Sequence, residues 1–298
     1  MIRQRCKENL EREREECRCS GRKLALLLLP LLVTSPLTMD AAAPLPPDST
    51  GGWRPLDTLW SDFRSTFTDA WLLFGRPLHF DRQDWIVTGS VIGSTSLIMV
   101  ADEDLRSMMQ GIRGTDGDRI VDVGNLLGEN ETGLIVAGLL YIPGLVLNEP
   151  EIRMMGRHVG QTLLYAAALG ALLKHSLGRH RPYLEEGQYR FEGPWQSSDM
   201  FLSLPSGHTV VAFSIASSLA ADIENPWATV GLYTAATLTA LSRVYIDRHW
   251  SSDVFVAATL ASAIGYGTAN LHEAPEEGAA SSFIISPTFN GISLSVSF

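Results

Sequence analysis

Apolar residues in this chain gather in six stretches that are separated by polar connections. The stretches cover residues 85–101, 133–147, 160–173, 209–223, 228–242 and 254–269. Each holds 14 to 17 residues and is rich in Ala, Gly, Ser and Thr, which is typical of buried core helices. A helix that spans a bilayer needs about 20 apolar residues. The pattern therefore predicts an all-α helical bundle of about six core helices, and it favours a soluble or peripheral bundle over an integral membrane one.

The segments on either side of the bundle follow other patterns. Residues 44–52 are rich in Pro and Gly and predict a linker. Within 53–84, aromatic residues recur at helical spacing, and they are Trp60, Phe63, Phe67, Trp71 and Phe74. This spacing predicts an amphipathic helix whose aromatic face packs on the core or docks on a membrane surface. Near the C-terminus, residues 283–298 alternate with period two around Asn290-Gly291, which predicts a short β-hairpin packed on the bundle.

The N-terminus has the order of a secretory signal. Residues 1–23 carry eight of the 23 Lys and Arg residues and all three cysteines, and an apolar run and Ala41-Ala42-Ala43 follow. A basic region, an apolar core and a small-residue cleavage site are the parts of a signal peptide. We therefore expect an exported protein, periplasmic or associated with the cell envelope. Because the basic region is long and also contains five Glu, an uncleaved anchor stays an alternative.

These patterns divide the chain into four parts. Residues 1–43 are a signal peptide or N-terminal anchor, and residues 44–84 are a linker with an amphipathic helix. The helical domain spans residues 85–272, and the C-terminal tail with the hairpin spans residues 273–298.

Charge is distributed unevenly along the chain. The formal net charge is −10, which disfavours non-specific binding to nucleic acid. Beyond residue 43 there is no cysteine and a single lysine, Lys174. Yet five basic or imidazole side chains lie close together, and they are Lys174, His175, Arg179, His180 and Arg181. This concentration in an acidic chain indicates an anion site, with a cap on the C-terminus of the preceding helix as the plainer alternative.

Two more motifs carry groups that handle anions. Pro205-Ser206-Gly207-His208 stands directly before an apolar helix, whose first backbone N–H groups and dipole attract anions. Gly207 lets a phosphate-sized ligand approach the backbone, and Ser206 can donate from its hydroxyl. Farther on, Arg243 leads to His249 and Asp253, whose spacing of four residues places them on one helical face if the helix has begun by His249.

The three motifs are predicted to meet at one end of the bundle. Residues 174–182 and 205–208 lie between the third and fourth apolar stretches, and 243–253 lie between the fifth and sixth. There, three cations and a helix N-terminus would neutralise a phosphoryl group. A histidine held by a carboxylate can attack phosphorus, and a second histidine can protonate the leaving oxygen. This chemistry needs neither a metal nor a cofactor.

The motifs also carry a family resemblance. K-x6-RP at 174–182, PSGH at 205–208 and SR-x5-H-x3-D at 242–253 resemble the three-part motif of the type 2 phosphatidic acid phosphatase and vanadium haloperoxidase superfamily. The resemblance covers residues of about 85 to 270 and implies an all-helical phosphatase domain. It implies that His249 is the nucleophile that forms a phosphohistidine, that Asp253 orients it, and that His208 is the general acid. The implied phosphate ligands are Lys174, Arg181, Ser206, Gly207 and Arg243.

The expected activity is metal-independent hydrolysis of phosphomonoesters or diphosphates, with lipid phosphates as substrates and with contact to a membrane. A non-specific acid phosphatase for soluble esters, a vanadium haloperoxidase and a non-catalytic envelope protein stay as alternatives. A metal site at Asp247, His249 and Asp253 is less favoured, because the neighbouring Arg243 and Arg248 would repel a cation. A serine hydrolase at Ser206 lacks the G-x-S-x-G turn.

Several polar residues fall outside the motif. His175 and His180 are expected at the cap or the pocket rim, and His158 and His272 as ordinary surface or core histidines. Asp102, Glu103 and Asp104 are expected to form a solvated loop.

Overall fold

The computed structural model describes residues 54–272, with the backbone alone at 115–120, and the backbone of 282–288 and 291–297. Within residues 54–272 the α-helices are α1 (Pro55–Gly75), α2 (Arg82–Gly111), α3 (Thr115–Leu127), α4 (Asn130–Val146), α5 (Pro150–Leu177), α6 (Gly207–Ile223), α7 (Pro226–Tyr245) and α8 (Ser251–Ala269). Short 3₁₀ helices lie at Arg76–His79, Pro182–Leu184 and Asp199–Phe201. The all-α prediction is confirmed for this region, and the six apolar stretches lie in α2 and α4–α8.

Two strands lie near the C-terminus. β1 (Ser282–Thr288) pairs antiparallel with β2 (Gly291–Ser297), from Ser282 opposite Ser297 to Thr288 opposite Gly291. The turn residues 289–290 lie outside the described residues, so the tight hairpin and its packing on the bundle stay predictions. The signal segment and the linker also lie outside the described residues.

Local sequence sets where several helices begin and end. α1, α5 and α7 each have proline in their first turn, where a missing N–H costs no helical hydrogen bond. α2 begins with a capping box, in which Asp84 N–H donates to Asp81 at 2.9 Å and Asp81 N–H donates to Asp84 at 3.1 Å. α5 ends at Gly178, whose φ of +63° lies in the left-handed region that favours glycine.

The core of the bundle surrounds α6. This helix packs against α5, α7 and α8, while α2 packs on α8 and α3 packs on α7. The buried cluster is dominated by small and medium side chains, among them Ala166, Val210, Phe213, Ala216, Ala240, Ala257 and Ala261. Small residues let these helices approach closely, and this arrangement brings the C-terminus of α5 and the N-termini of α6 and α8 to the same end.

Only the inner faces of the apolar stretches form the core. Their outer faces are apolar as well, but these faces are exposed. α2 is long enough and apolar enough to cross a membrane, with an 18-residue window of mean hydropathy 1.4, none of which is buried. Exposed apolar side chains also line the outer faces of α4 and α7, and they are Leu134, Ile135, Leu139, Ile142, Trp227, Val230, Leu238 and Leu241. The expectation of buried core helices therefore holds for the inner faces alone.

Close contact between α4 and α5 yields a test of the packing. A Cβ placed on Gly156 would overlap the backbone of Tyr141, whereas a Cβ on Gly138 would meet nothing within 4 Å. We expect Gly156→Ala to lower the free energy of unfolding by about 1–3 kcal/mol through overpacking. Gly138→Ala should be neutral or slightly stabilising, because alanine favours the helix. Thermal unfolding of the two purified variants measures this, and equal midpoints would contradict the close contact.

Candidate active site

The three motifs meet at one end of the bundle. Lys174 Nζ donates to the carbonyl of Leu202 at 2.8 Å, which ties the end of α5 to the loop before α6. Arg181 Nη1 donates to the carbonyl of Arg248 at 3.1 Å, and the Ser206 N–H donates to the carbonyl of Asp253. These contacts bring together all the residues singled out from sequence, namely Lys174, Arg181, Ser206, Gly207, His208, Arg243, His249 and Asp253.

His249 lies in the turn between α7 and α8 and is buried. Its Nδ1 is 2.7 Å from the carbonyl oxygen of Ser203 and 3.7 Å from Oδ2 of Asp253. The backbone carbonyl is thus the nearer acceptor for a proton on Nδ1, which leaves Nε2 with its lone pair, 3.4 Å from Nη1 of Arg181. Burial lowers the pKa of His249 to about 3. The charges of Arg181 and Lys174 also lower this pKa, whereas Asp253 raises it. The imidazole is therefore neutral at ordinary pH, as a nucleophile requires.

Asp253 is held as a carboxylate by several donors. Ser203 Oγ donates to it at 2.5 Å, the Trp250 N–H at 2.9 Å and Arg179 Nη1 at 2.6 Å. Burial alone would raise the pKa of Asp253, but the charge of Arg179, the nearby His249 and the hydrogen bond from Ser203 outweigh it and lower the pKa to about 2. The residue therefore stays ionised beside His249.

Arg179 is a functional residue that the motifs did not identify. Its guanidinium is fully buried and reaches Asp253 at 2.6 Å, Ser252 at 2.7 Å and Asp102 at 2.8 Å. Asp102 was expected in a solvated loop, but it lies in α2 and its side chain is buried. Its carboxylate also accepts hydrogen bonds from the N–H and the hydroxyl of Ser252. One sequence signal could have indicated this pairing, namely a carboxylate at the end of an apolar helical stretch. Such a group needs a partner when it is buried.

The cations of the site crowd one another. Burial, then the charge of Arg181, lowers the pKa of Lys174 to about 8. Burial, then Arg181 and Arg248, lowers the pKa of Arg243 to about 10. Arg181 is partly neutralised by Asp199, to whose carbonyl and carboxylate it donates at 2.8 and 2.6 Å. An anion placed among these groups would relieve their mutual repulsion.

His208 lies in the first turn of α6 and faces Glu129, which precedes α4. Its Nε2 is 3.6 Å from Oε1 of Glu129. Burial and the charge of Arg243 lower the pKa of His208, and Glu129 opposes this shift. From α3, Asn125 accepts a hydrogen bond from Arg243 at 2.5 Å. Glu129 and Asn125 come from helices that carry no motif, so sequence reasoning missed both.

The other histidines have partners of their own. His175 Nδ1 is 2.5 Å from the carbonyl of Gln196, and His180 lies between Glu186 and Glu192. His158 pairs with Asp222, and His272 pairs with Asp69.

The proposed metal ligands do not form one set. Asp247 accepts two hydrogen bonds from Arg106, at 2.6 and 2.7 Å. Asp253 is bound to Arg179. In the part of the chain that the structure describes, no group of three or more His, Cys, Asp and Glu is placed to hold a metal ion.

Part of the chain is similar to known proteins. Residues 157–276 match the family model of the PAP2 superfamily. The matched segment contains every predicted site residue from Lys174 to Asp253.

Curated relatives are similar over part of their length. Lipid A 1-phosphatase of Porphyromonas gingivalis is 33% identical over 105 residues, which is 35% of this chain and 22% of that protein. Lipid A 1-phosphatase of Rhizobium johnstonii is 32% identical over 107 residues, 35% of this chain and 42% of that protein. The chain thus covers less than half of either relative.

Two crystal structures are also similar. That of Aquifex aeolicus LpxE has a TM-score of 0.41 and 23% identity, over 56% of this chain and 93% of that one. That of a transmembrane PAP2 type phosphatidylglycerolphosphate phosphatase from Bacillus subtilis has a TM-score of 0.43 and 16% identity, over 74% of this chain and 96% of that one.

The pair formed by His208 and Glu129 predicts a pH effect. If protonated His208 is the general acid, kcat/KM falls as pH rises through its pKa, which burial lowers from its ordinary value. Glu129→Gln removes a charge that raises this pKa, so the falling limb should move to lower pH. The matched control is Glu131→Gln, which changes an exposed glutamate in the first turn of α4. An unmoved limb in Glu129→Gln would contradict the pairing.

Arg179 is expected to act by positioning Asp253. Arg179→Lys keeps the charge but cannot hold Asp253 and Asp102 together, so kcat should fall about 10²-fold with little change in KM. Because Arg179 lowers the pKa of Asp253, the acidic limb of the pH–rate profile should also move to higher pH. The exposed Arg190→Lys serves as the control in the same loop. A folded Arg179→Lys variant with unchanged kcat and pH limb would refute the positioning role.

Proposed function

We propose that this protein is a phosphatase that hydrolyses phosphate esters or diphosphates of lipids through a phosphohistidine at His249, without a metal ion. The observation that carries the proposal is the buried, neutral imidazole of His249. Its Nδ1 is held by the Ser203 carbonyl, and its Nε2 lies 3.4 Å from Nη1 of Arg181. A phosphoryl group bound by Arg181 is thereby presented to the nitrogen that would attack it.

The first half of the reaction transfers the phosphoryl group to the enzyme. The lone pair on Nε2 of His249 forms the N–P bond as the P–O bond to the leaving group breaks, and His208 gives its proton to the leaving oxygen. The imidazole then carries positive charge, which the Asp253 carboxylate stabilises. Lys174, Arg181, Arg243 and the N-terminus of α6 stabilise the negative charge on the phosphoryl oxygens.

Hydrolysis of the phosphohistidine completes the cycle. His208, now neutral, takes a proton from water as the water oxygen bonds to phosphorus. The N–P bond breaks, its electron pair returns to Nε2 and inorganic phosphate leaves. The proton on Nδ1 stays in place throughout, and His208 ends protonated, as it began.

Two observations favour a lipid substrate. The curated relatives are lipid A 1-phosphatases, and apolar side chains cover the outer faces of α2, α4 and α7. We propose that the bundle is embedded in a bilayer through its uncharged segments, with the site just outside them. These segments are 85–101, 132–147, 159–173, 209–221, 226–242 and 254–271. The signal predicted at 1–43 supports a place in the cell envelope.

Turnover by the purified protein tests the mechanism. We expect wild-type protein to release phosphate from a lipid phosphate in detergent micelles in the presence of EDTA, and vanadate to inhibit it. His249→Ala should lose about 10³-fold or more of kcat, because it removes the nucleophile. His175→Ala is the matched control, since it changes an exposed histidine at the same end of the bundle.

Each part of the mechanism can fail separately. Near-normal turnover in His249→Ala would exclude its nucleophilic role, and loss of turnover in EDTA would exclude the metal-free reaction. A preference for a soluble ester such as p-nitrophenyl phosphate would point to a non-specific acid phosphatase. Peroxide-dependent halide oxidation with added vanadate would point to a haloperoxidase.

A further inference from the structure

α1 is an amphipathic helix with its polar face turned inward. Asp62 and Asp69 lie seven residues apart on one helical face, and they are only 7% and 1% exposed. Thr66, between them, faces the same way, and Gln161 of α5 donates to its hydroxyl at 3.3 Å. This orientation is the reverse of a surface helix in a water-soluble protein, whose apolar face is buried.

The inward carboxylates are tied to three other parts of the bundle. Asp62 forms ion pairs with Arg153 and Arg157 of α5 and accepts a hydrogen bond from Tyr141 of α4 at 2.8 Å. Asp69 accepts from Arg157 at 2.5 Å and from Gln161 at 2.9 Å, and it lies 2.8 Å from His272, just after α8. These contacts fix the rotation of α1 about its own axis.

The outward face of α1 is a strip of aromatic rings. Phe67 is 62% exposed and Trp71 is 82% exposed. Trp60 stacks on Phe63 at 5.7 Å, and Phe63 contacts Phe67 edge to face at 5.1 Å, so the rings form a continuous surface. The exposed residue Arg64 lies within this stretch.

A lipid bilayer fits this face better than a protein partner. In water this orientation would be unfavourable, because it exposes aromatic rings to the solvent and buries carboxylates. A protein partner would cover one patch, but exposed apolar faces also occur on α2, α4 and α7, which pack on different neighbours. Tryptophan together with arginine is suited to the boundary between headgroups and acyl chains.

The contacts of α1 place it at the end of the bundle opposite the site. Its partners Arg153 and Arg157 lie in the first turns of α5, whereas Lys174 lies near the last. Likewise His272 follows the C-terminus of α8, whereas Asp253 lies near its N-terminus.

We propose that α1 lies at the headgroup–acyl boundary of the leaflet opposite the site, with its aromatic face in contact with lipid and its acidic face locked to α5. This proposal rests on the membrane embedding of the bundle proposed above. It adds a second point of attachment that sets the depth of α5 in the bilayer.

Nitroxide labels on single cysteines can test this arrangement. The native Cys6, Cys17 and Cys19 are replaced by Ser, and labels are placed at Phe67→Cys and Trp71→Cys in phosphatidylcholine–phosphatidylglycerol vesicles. Collision with oxygen, which is enriched among acyl chains, is compared with collision with a water-soluble nickel chelate. Leu139→Cys on α4 reports the embedded belt, and Arg190→Cys reports an exposed loop.

We expect labels at positions 67 and 71 to collide with oxygen more than with nickel, at a shallower depth than position 139. If positions 67 and 71 behave like position 190 while position 139 is in lipid, the α1 proposal is wrong and the embedding stands. If they are shielded from both reagents, protein covers this face and the proposal is also overturned. If position 139 itself collides mainly with nickel, the embedding fails.

Discussion

A buried guanidinium between two buried carboxylates is the interaction on which the site depends. Arg179, Asp102 and Asp253 have no exposed side-chain surface, and two hydrogen bonds of 2.6 and 2.8 Å join them. Taking an ion out of water costs several kcal/mol unless it is paired and hydrogen-bonded, so none of the three is stable there alone. Because they come from α2, the loop after α5 and α8, their pairing requires these elements to be correctly assembled. The carboxylate beside His249 is thus available only in the folded bundle.

The same end of the bundle also holds charges that repel each other. Burial and mutual repulsion lower the pKa values of Lys174 and Arg243, which shows that the positive charges of the site destabilise one another. A phosphate would supply the missing negative charge, so part of its binding free energy comes from repulsion already present in the protein. His249, by contrast, is kept neutral first by burial and then by the charges of Arg181 and Lys174. The proposed nucleophile and the proposed phosphate ligands therefore depend in part on the same charges.

The sequence was sufficient for the residues whose signal is local. PSGH before an apolar helix predicts a helix N-terminus, and α6 begins at Gly207. The i,i+4 spacing of His249 and Asp253 places the two side chains near each other, although the Ser203 carbonyl is closer to His249 than Asp253 is. The partners Asp102 and Glu129 were missed, because each is separated from its contact by more than 70 residues. The exposure of the outward apolar faces was also not predicted, since periodicity distinguishes helix from strand but does not show what covers an apolar face.

The loop from Leu202 to Ser206 touches the site largely through its main chain. Leu202 and Ser203 present carbonyl oxygens to Lys174 and His249, and the N–H groups of Ser203 and Ser206 bond to the carbonyls of Arg179 and Asp253. A change of side chain at Leu202 leaves its carbonyl in place. An insertion or deletion of one residue would instead displace every one of these groups at once. Position 202 is therefore tolerant of substitution, unlike Ser203, whose hydroxyl holds Asp253. The whole loop is intolerant of any change in length, so alignments of such sites should weigh gaps here heavily.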